Sequence, residues 1–258
     1  MIKTLCCQKV CDAFSDAAFR YDQLTNVHQN IGRELIDRIK LMKPSGAILD
    51  IGMGSGWFTD GLTIAFPKSL VVGLDFASGM VACARQKKGR FKIIQADAVH
   101  LPFKKGSFRL ITSNLAYQWV KDLPQAFSSC RFCLNKKGKL FFTMFGYETL
   151  RELFEALKAC AGKKGIVVKR LAKKNNVFQT LRNAGFGTIQ IKEQCKRVYF
   201  RDMLGLLQWI KDIGANTLPR NFYFGKDLLQ DANQYYGAHF RDTHGVYTTL
   251  EVIWVEAA

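Results

Sequence analysis

The chain has 258 residues, 48% of them hydrophobic and 23% charged, with a formal net charge of +17. Such a length and balance exclude a disordered or fibrous chain and support one large core, and no apolar run is long enough to span a bilayer. The N-terminal stretch Met1–Lys9 has neither a sustained apolar core nor a small-residue cleavage site, so it does not read as a targeting peptide and the expected location is the cytoplasm.

In chain order, a helical pattern at Ile31, Leu35 and Ile39 precedes the first strand. The candidate strands are Ala47–Ile51, Leu70–Leu74, Phe91–Ala96, Arg109–Ser113, Lys139–Phe145, Thr188–Val198 and Val246–Val255. Several are unbroken apolar runs, as strands covered on both faces require. After the fifth, Leu150, Leu153, Phe154 and Leu157 recur at helical spacing. Some fifty residues part the last two strands, and they contain a second helical pattern over Met203–Ile210. That stretch is too long for a turn and reads as an inserted helical cap. The expected fold is therefore α/β: a seven-stranded, mostly parallel sheet with helices on both faces. With no repeat and no Pro/Gly/Ser linker, the whole chain (1–258) reads as one domain. Its parts are an N-terminal helical lid (1–45), a core (46–198), the cap (199–245) and a last strand (246–258).

Eight scattered cysteines in such a chain are expected to be reduced thiols. Cys130-x-x-Cys133 falls in a helical stretch with no matching second pair, whereas a closed zinc site needs four ligands. No metal is expected. The positive charge is spread over both halves, with runs at Lys87–Lys92, Lys136–Lys139 and Lys163–Lys174. It suits a nucleic acid, an acidic protein or simply a solvated surface.

The densest chemical signal is Asp50-Ile-Gly52-Met-Gly54-Ser-Gly56-Trp57, where a strand runs directly into alternating glycines and then a helix. Glycine there permits a sharp turn and a close approach of backbone to ligand, and the helix start supplies free N–H groups. A dinucleotide loop needs G-x-G-x-x-G. Counting from Gly52 or from Gly54, the third position falls on Trp57 or Thr59, so both registers fail. The phosphate loop G-x-x-x-x-G-K-[ST] is also absent.

The pattern Asp-x-Gly-x-Gly-x-Gly resembles the S-adenosylmethionine (SAM) turn of class I methyltransferases. That resemblance implies a second acid after the next strand for the ribose hydroxyls, where Asp75-Phe76 stands. It implies a third after strand three near the adenine, where Asp97-Ala98 stands, and a polar residue after strand four facing the methyl donor, where Asn114 stands. Each also has a purely structural reading: Asp50 as a cap of the loop, Asp75 and Asp97 as ordinary turn acids. All four in order, each at the carboxyl end of a candidate strand, favour the binding site.

Residues outside that turn address the methyl acceptor. Ala13-Phe-Ser-Asp-Ala-Ala-Phe-Arg-Tyr21-Asp22, Ser113-Asn-Leu-Ala-Tyr-Gln118-Trp119 and Ile213-Gly214-Ala215 together resemble the bacterial malonyl-[acyl-carrier protein] O-methyltransferases of biotin synthesis. The chain departs from them at Asp16, where the family usually has a basic residue. The resemblance implies a malonyl carboxylate as acceptor and an acidic acyl-carrier protein as partner, which the basic surface would attract. It gives Tyr21 as a lid residue, with Gln118 and Trp119 lining the transfer channel; Tyr21 packing the lid and Trp119 in the core are the bland alternatives. A cation is wanted at the carboxylate, and Arg151 and Arg220 are candidates, though either also reads as an exposed helix arginine. A carboxylate is already ionised at neutral pH, so no general base is required. His28, His100, His239 and His244 show no pairing that would supply one. A nucleic-acid acceptor is disfavoured: position 114 onward reads Asn-Leu-Ala-Tyr, with no prolines, and no Pro-Cys nucleophile occurs. A quinone-type acceptor, or SAM binding without transfer, are the remaining readings.

Overall fold

The computed structural model describes residues 2–87, 89–161, 170–215 and 225–258, with side chains from residue 8 onward. Eight strands form one sheet: β1 (Ile48–Ile51), β2 (Val71–Asp75), β3 (Lys92–Gln95), β4 (Phe108–Asn114), β5 (Leu134–Phe145), β6 (Ile189–Phe200), β7 (Arg241–Asp242) and β8 (Gly245–Ala257). Their order is β3-β2-β1-β4-β5-β8-β6, with β7 paired to β8. The first five strands are parallel, and β8 runs antiparallel to β5, β6 and β7. The expected α/β sheet is present, with one more strand than expected. Arg241–Asp242 pairs back on Val246 and Gly245 in a tight hairpin closed by Gly245 at φ +121°. Two residues are too few to leave an alternating pattern.

Helices cover both faces because alternate strand residues point opposite ways. Ile48, Val71, Leu110 and Phe141 pack under α3 (Asn26–Met42), α4 (Trp57–Ala65) and α5 (Ser78–Gln86). The predicted stripe Ile31, Leu35 and Ile39 forms the buried face of α3 and is at most 1% exposed. Each such side chain contributes about 1.5–3 kcal/mol by leaving water. Leu49, Val72, Ile111 and Phe142 pack under α6 (Leu123–Cys133) and α8 (Lys174–Asn183), where Cys130 and Cys133 sit as buried thiols. No group of three His, Cys, Asp or Glu among the described residues could hold a metal ion.

Between β6 and β8 stand α9 (Met203–Asp212) and α10 (Lys226–His239). Both pack on α7 (Arg151–Cys160) through Leu153, Leu157, Met203, Leu206 and Tyr236. The N-terminal segment holds α1 (Ile2–Ala17) and the single turn α2 (Tyr21–Leu24) ahead of α3. α1 and Ala18 just beyond it pack on α5 through Cys11, Ala18, Met80 and Cys83. Edge strand β6 is exposed along much of its length and carries Lys192, Glu193, Lys196 and Arg197, charges that discourage further pairing. No helix of the described residues is long and apolar enough to cross a membrane.

Candidate active site

The carboxyl ends of β1, β2 and β4 meet the N-terminal segment, and the site is built there. Gly52, Gly54 and Gly56 adopt φ of +73°, +56° and +85°. A side chain at Gly52 would put its Cβ 2.2 Å from the Ala116 Cβ, so the chain's own packing requires that glycine. Gly54 is different: a Cβ there meets nothing nearer than the Met80 sulfur at 4.0 Å. Its bare backbone is left open to an approaching ligand.

Asp75 ties the turn to the next helix. Its Oδ2 accepts from the Gly54 N–H and its Oδ1 from the Ala77 N–H, each at 2.8 Å. Burial raises its carboxyl above the ordinary range, and backbone N–H groups at Ala77, Gly54 and Phe76 oppose that rise. Asp50 lies fully buried one strand away. Its Oδ2 accepts from the Thr59 hydroxyl at 2.6 Å, while its Oδ1 has no protein partner. Burial pushes the Asp50 carboxyl up to about 7, against the pull of Thr59. An orphaned buried carboxylate oxygen beside an open glycine turn suits a cationic, hydrogen-bonding ligand such as SAM.

The rest of that wall is quieter. Asp97 closes its own turn, accepting from the Val99 N–H at 2.9 Å, with Ala98 buried behind it. Phe76 is 40% exposed at the rim, a face available to a flat ring. Asn114 spends both ends of its amide within the protein: Nδ2 donates to the His28 carbonyl at 3.0 Å, and Oδ1 accepts from the Thr143 hydroxyl at 2.9 Å. It thus clasps β4, β5 and α3 together.

After β4 the backbone turns through Leu115 at φ +55°, a conformation unfavourable to a branched side chain. Gln118 steadies it by donating to the Leu115 carbonyl at 2.7 Å, leaving its own Oε1 buried and unpartnered. The Trp119 ring meets Phe14 edge-on at 5.3 Å. Phe14 in turn lies 6.3 Å from Tyr21, and Tyr21 lies 6.1 Å from His28. Burial, then the charges of Asp75 and Asp22, raise the Tyr21 phenol, so it stays protonated and cannot serve as a base near neutral pH. Beside it, Asp22 takes a hydrogen bond from Ser55 of the glycine turn and an ion pair from Lys87.

His28, which the sequence left without a catalytic pairing, lies next in this row of rings. Its ring packs against Phe145 at 5.5 Å and Trp209 of α9 at 6.1 Å, and the Trp209 indole donates to the Leu24 carbonyl at 2.8 Å. Burial pushes the imidazole down to about 4, so it is neutral. Its only sequence signal is a polar ring on the buried stripe of α3.

Arg151 is not brought to this site. It lies half-exposed at the start of α7, its Nε 3.1 Å from Glu152, on the wall of an open cavity of about 570 Å³. That cavity is lined by Glu148, Glu155, Lys158 and Arg170 but by none of Tyr21, Gln118 or Trp119. Among the described contacts Arg151 is engaged by the neighbouring carboxylate, on a helix that packs against α9 and α10. Arg220 lies outside the described residues.

Comparison with known proteins bears on family and fold. Residues 49–142 match the family described as "Methyltransferase domain". The chain is 33% identical over 248 residues to the malonyl-[acyl-carrier protein] O-methyltransferase of Methylococcus capsulatus, covering 93% of this chain and 90% of that one. Among solved structures, the YcgJ protein of Bacillus subtilis superposes with a TM-score of 0.60 at 16% identity, covering 87% of this chain and 97% of that one. A Haemonchus contortus phosphoethanolamine N-methyltransferase 2 in complex with S-adenosyl-L-methionine gives a TM-score of 0.55 at 19% identity, covering 94% of this chain and 57% of that one.

Proposed function

The chain belongs to the malonyl-[acyl-carrier protein] O-methyltransferase family, and on that footing we propose that it moves the methyl group of SAM onto the free carboxylate of a malonyl thioester carried by acyl-carrier protein, giving the methyl ester that begins biotin synthesis. The observation that carries this reading is the extent of the family likeness. It runs through the N-terminal segment and the insertion as well as the glycine turn, so it includes the acceptor side.

Bound SAM supplies an electrophilic methyl on a sulfonium sulfur. The chain's own residues position and enclose. With SAM bound, Asp75 and the Gly54 backbone would hold its ribose hydroxyls, the unpartnered Oδ1 of Asp50 would take its cationic or hydrogen-bonding groups, and Phe76, Asp97 and Ala98 would take its adenine. The acceptor carboxylate brings its own nucleophilic lone pair, so alignment and exclusion of water matter more than proton transfer. Tyr21, Gln118 and Trp119 form the channel wall around the reacting atoms, and the N-terminal segment acts as the lid.

The carrier is acidic in this reading. The +17 charge of the chain favours its approach. The cytoplasm, where carrier and reduced thiols coexist, is the place of action.

Labelled SAM incubated with the protein and either malonyl-loaded carrier or bulk tRNA tests the function. A base-labile methyl ester on the carrier, and no label on tRNA, is expected. Label on tRNA alone, or none on either, would overturn it.

A further inference from the structure

His28 is a buried polar ring that the proposed chemistry leaves unassigned. It is 8% exposed, and its Nδ1 has no protein partner. Three elements far apart in sequence enclose it: Tyr21 of α2, Phe145 at the end of β5 and Trp209 of α9. Its own carbonyl is pinned to the end of β4 by the Asn114 amide. A buried ring nitrogen without a partner is destabilising, so it calls for an incoming group to pair with. Its surroundings are aromatic carbon from Tyr21, Phe145 and Trp209, and the Tyr21 phenol beside it is close enough to feel the Asp75 charge.

We propose that His28 is the acceptor-binding residue, its imidazole N–H donating to the malonyl carboxylate and holding it beside Tyr21. The inference rests on the proposed function. In the transfer, a carboxylate oxygen forms the new O–C bond while the C–S bond breaks; the electron pair passes to sulfur and no proton moves. Opposite charges disappear on the way to the transition state. A group that stabilises the ground-state carboxylate more than the transition state therefore slows the reaction. A guanidinium ion-paired to the attacking carboxylate would do that. A neutral imidazole orients the same carboxylate through one N–H, and the aromatic walls exclude the water that would otherwise solvate it. The recognition role expected of Arg151 thus passes to an uncharged donor.

The test uses the full chain, malonyl-loaded carrier, and SAM affinity measured separately by calorimetry. His28→Phe keeps the aromatic packing and removes the N–H; His28→Gln keeps a donor and removes the ring. His28→Phe is expected to raise KM for malonyl-carrier roughly ten- to hundredfold, with SAM affinity within about twofold of wild type. His28→Gln is expected to recover most of that loss. Should the phenyl ring unfold the protein, His28→Leu takes its place in the same comparison. A wild-type KM in the variant lacking the N–H, a parallel fall in SAM affinity, or equal damage from Gln overturns the assignment. Failure of the wild-type protein to esterify malonyl-carrier overturns the proposed function first and this inference with it; a His28 variant as active as a working wild type overturns the inference alone.

Discussion

The donor side and the acceptor side of the site are held by different kinds of contact. Around the glycine turn, backbone does the holding: Asp75 is gripped by two N–H groups, and Gly52 is fixed by the Cβ of Ala116. On the acceptor side, rings do it. Trp119, Phe14, Tyr21, His28, Trp209 and Phe200 follow one another at centroid distances of 5.3, 6.3, 6.1, 6.1 and 5.5 Å, from the turn after β4 across the lid into the insertion. A backbone frame is set when the sheet forms and suits a ligand of fixed shape. A chain of side-chain contacts between separate segments can open and re-form, as a site that must admit a bulky carrier-bound thioester requires.

The largest effect expected from breaking this contrast comes from Gly52→Val. With φ at +73° and no room beside Ala116, it should cost about 4 kcal/mol or more of stability and abolish SAM binding, measured by denaturant unfolding and calorimetry.

Next come two opposed pH slopes. Asp50 has its carboxyl raised from 3.8 to about 7, so between those values the folded state holds a proton that the unfolded state has lost, and stability falls as pH rises. His28 is lowered from 6.5 to about 4, so between pH 4 and 6.5 the unfolded state holds the extra proton, and stability rises with pH. The two largely offset in the wild type. Asp50→Asn should expose a rise of about 3 kcal/mol from pH 4 to 6.5, and His28→Gln a fall of similar size over the same interval. Flat profiles in both variants would contradict these environments.

Asp75→Ala should weaken SAM binding about a hundredfold. Because it also strands the Gly54 and Ala77 N–H groups, a loss of about 1–3 kcal/mol in stability should accompany it. The same change at Asp97, which only closes its own turn within the protein, separates a ligand contact from a structural one: weakened SAM binding there marks the adenine side.

The smallest effect concerns the surface. KM for malonyl-carrier should rise about threefold between ~50 and ~300 mM salt, while SAM affinity changes little. A salt-independent KM would count against a charge-guided carrier.

The donor side was legible in the sequence because its parts are local. Asp50, the three glycines, Asp75 and Asp97 lie at strand ends within one stretch, and each strand announces itself as an apolar run. The helical stripes of α3 and α7 were equally plain. The proposed acceptor contacts around His28 were less legible, because the rings there come together only in the fold. Tyr21 was read as a lid residue, but nothing in the sequence joins it and His28 to Phe145 and Trp209, and a single histidine on an apolar helix face looks like packing. Arg151 follows the predicted strand, and what its sequence position could not give is its pairing with the adjacent Glu152 on the wall of a separate cavity. The two-residue β7 escaped because hairpin pairing, not pattern, defines it.

The hydrogen bond from the Trp209 indole to the Leu24 carbonyl joins residues 185 positions apart, one in the insertion and one at the end of the lid's short helix. It makes the two coverings a single door. A displacement of α9 that kept this bond would carry the end of α2 with it. Trp209→Phe, which removes the indole N–H but keeps a ring, would cut that tie between insertion and lid.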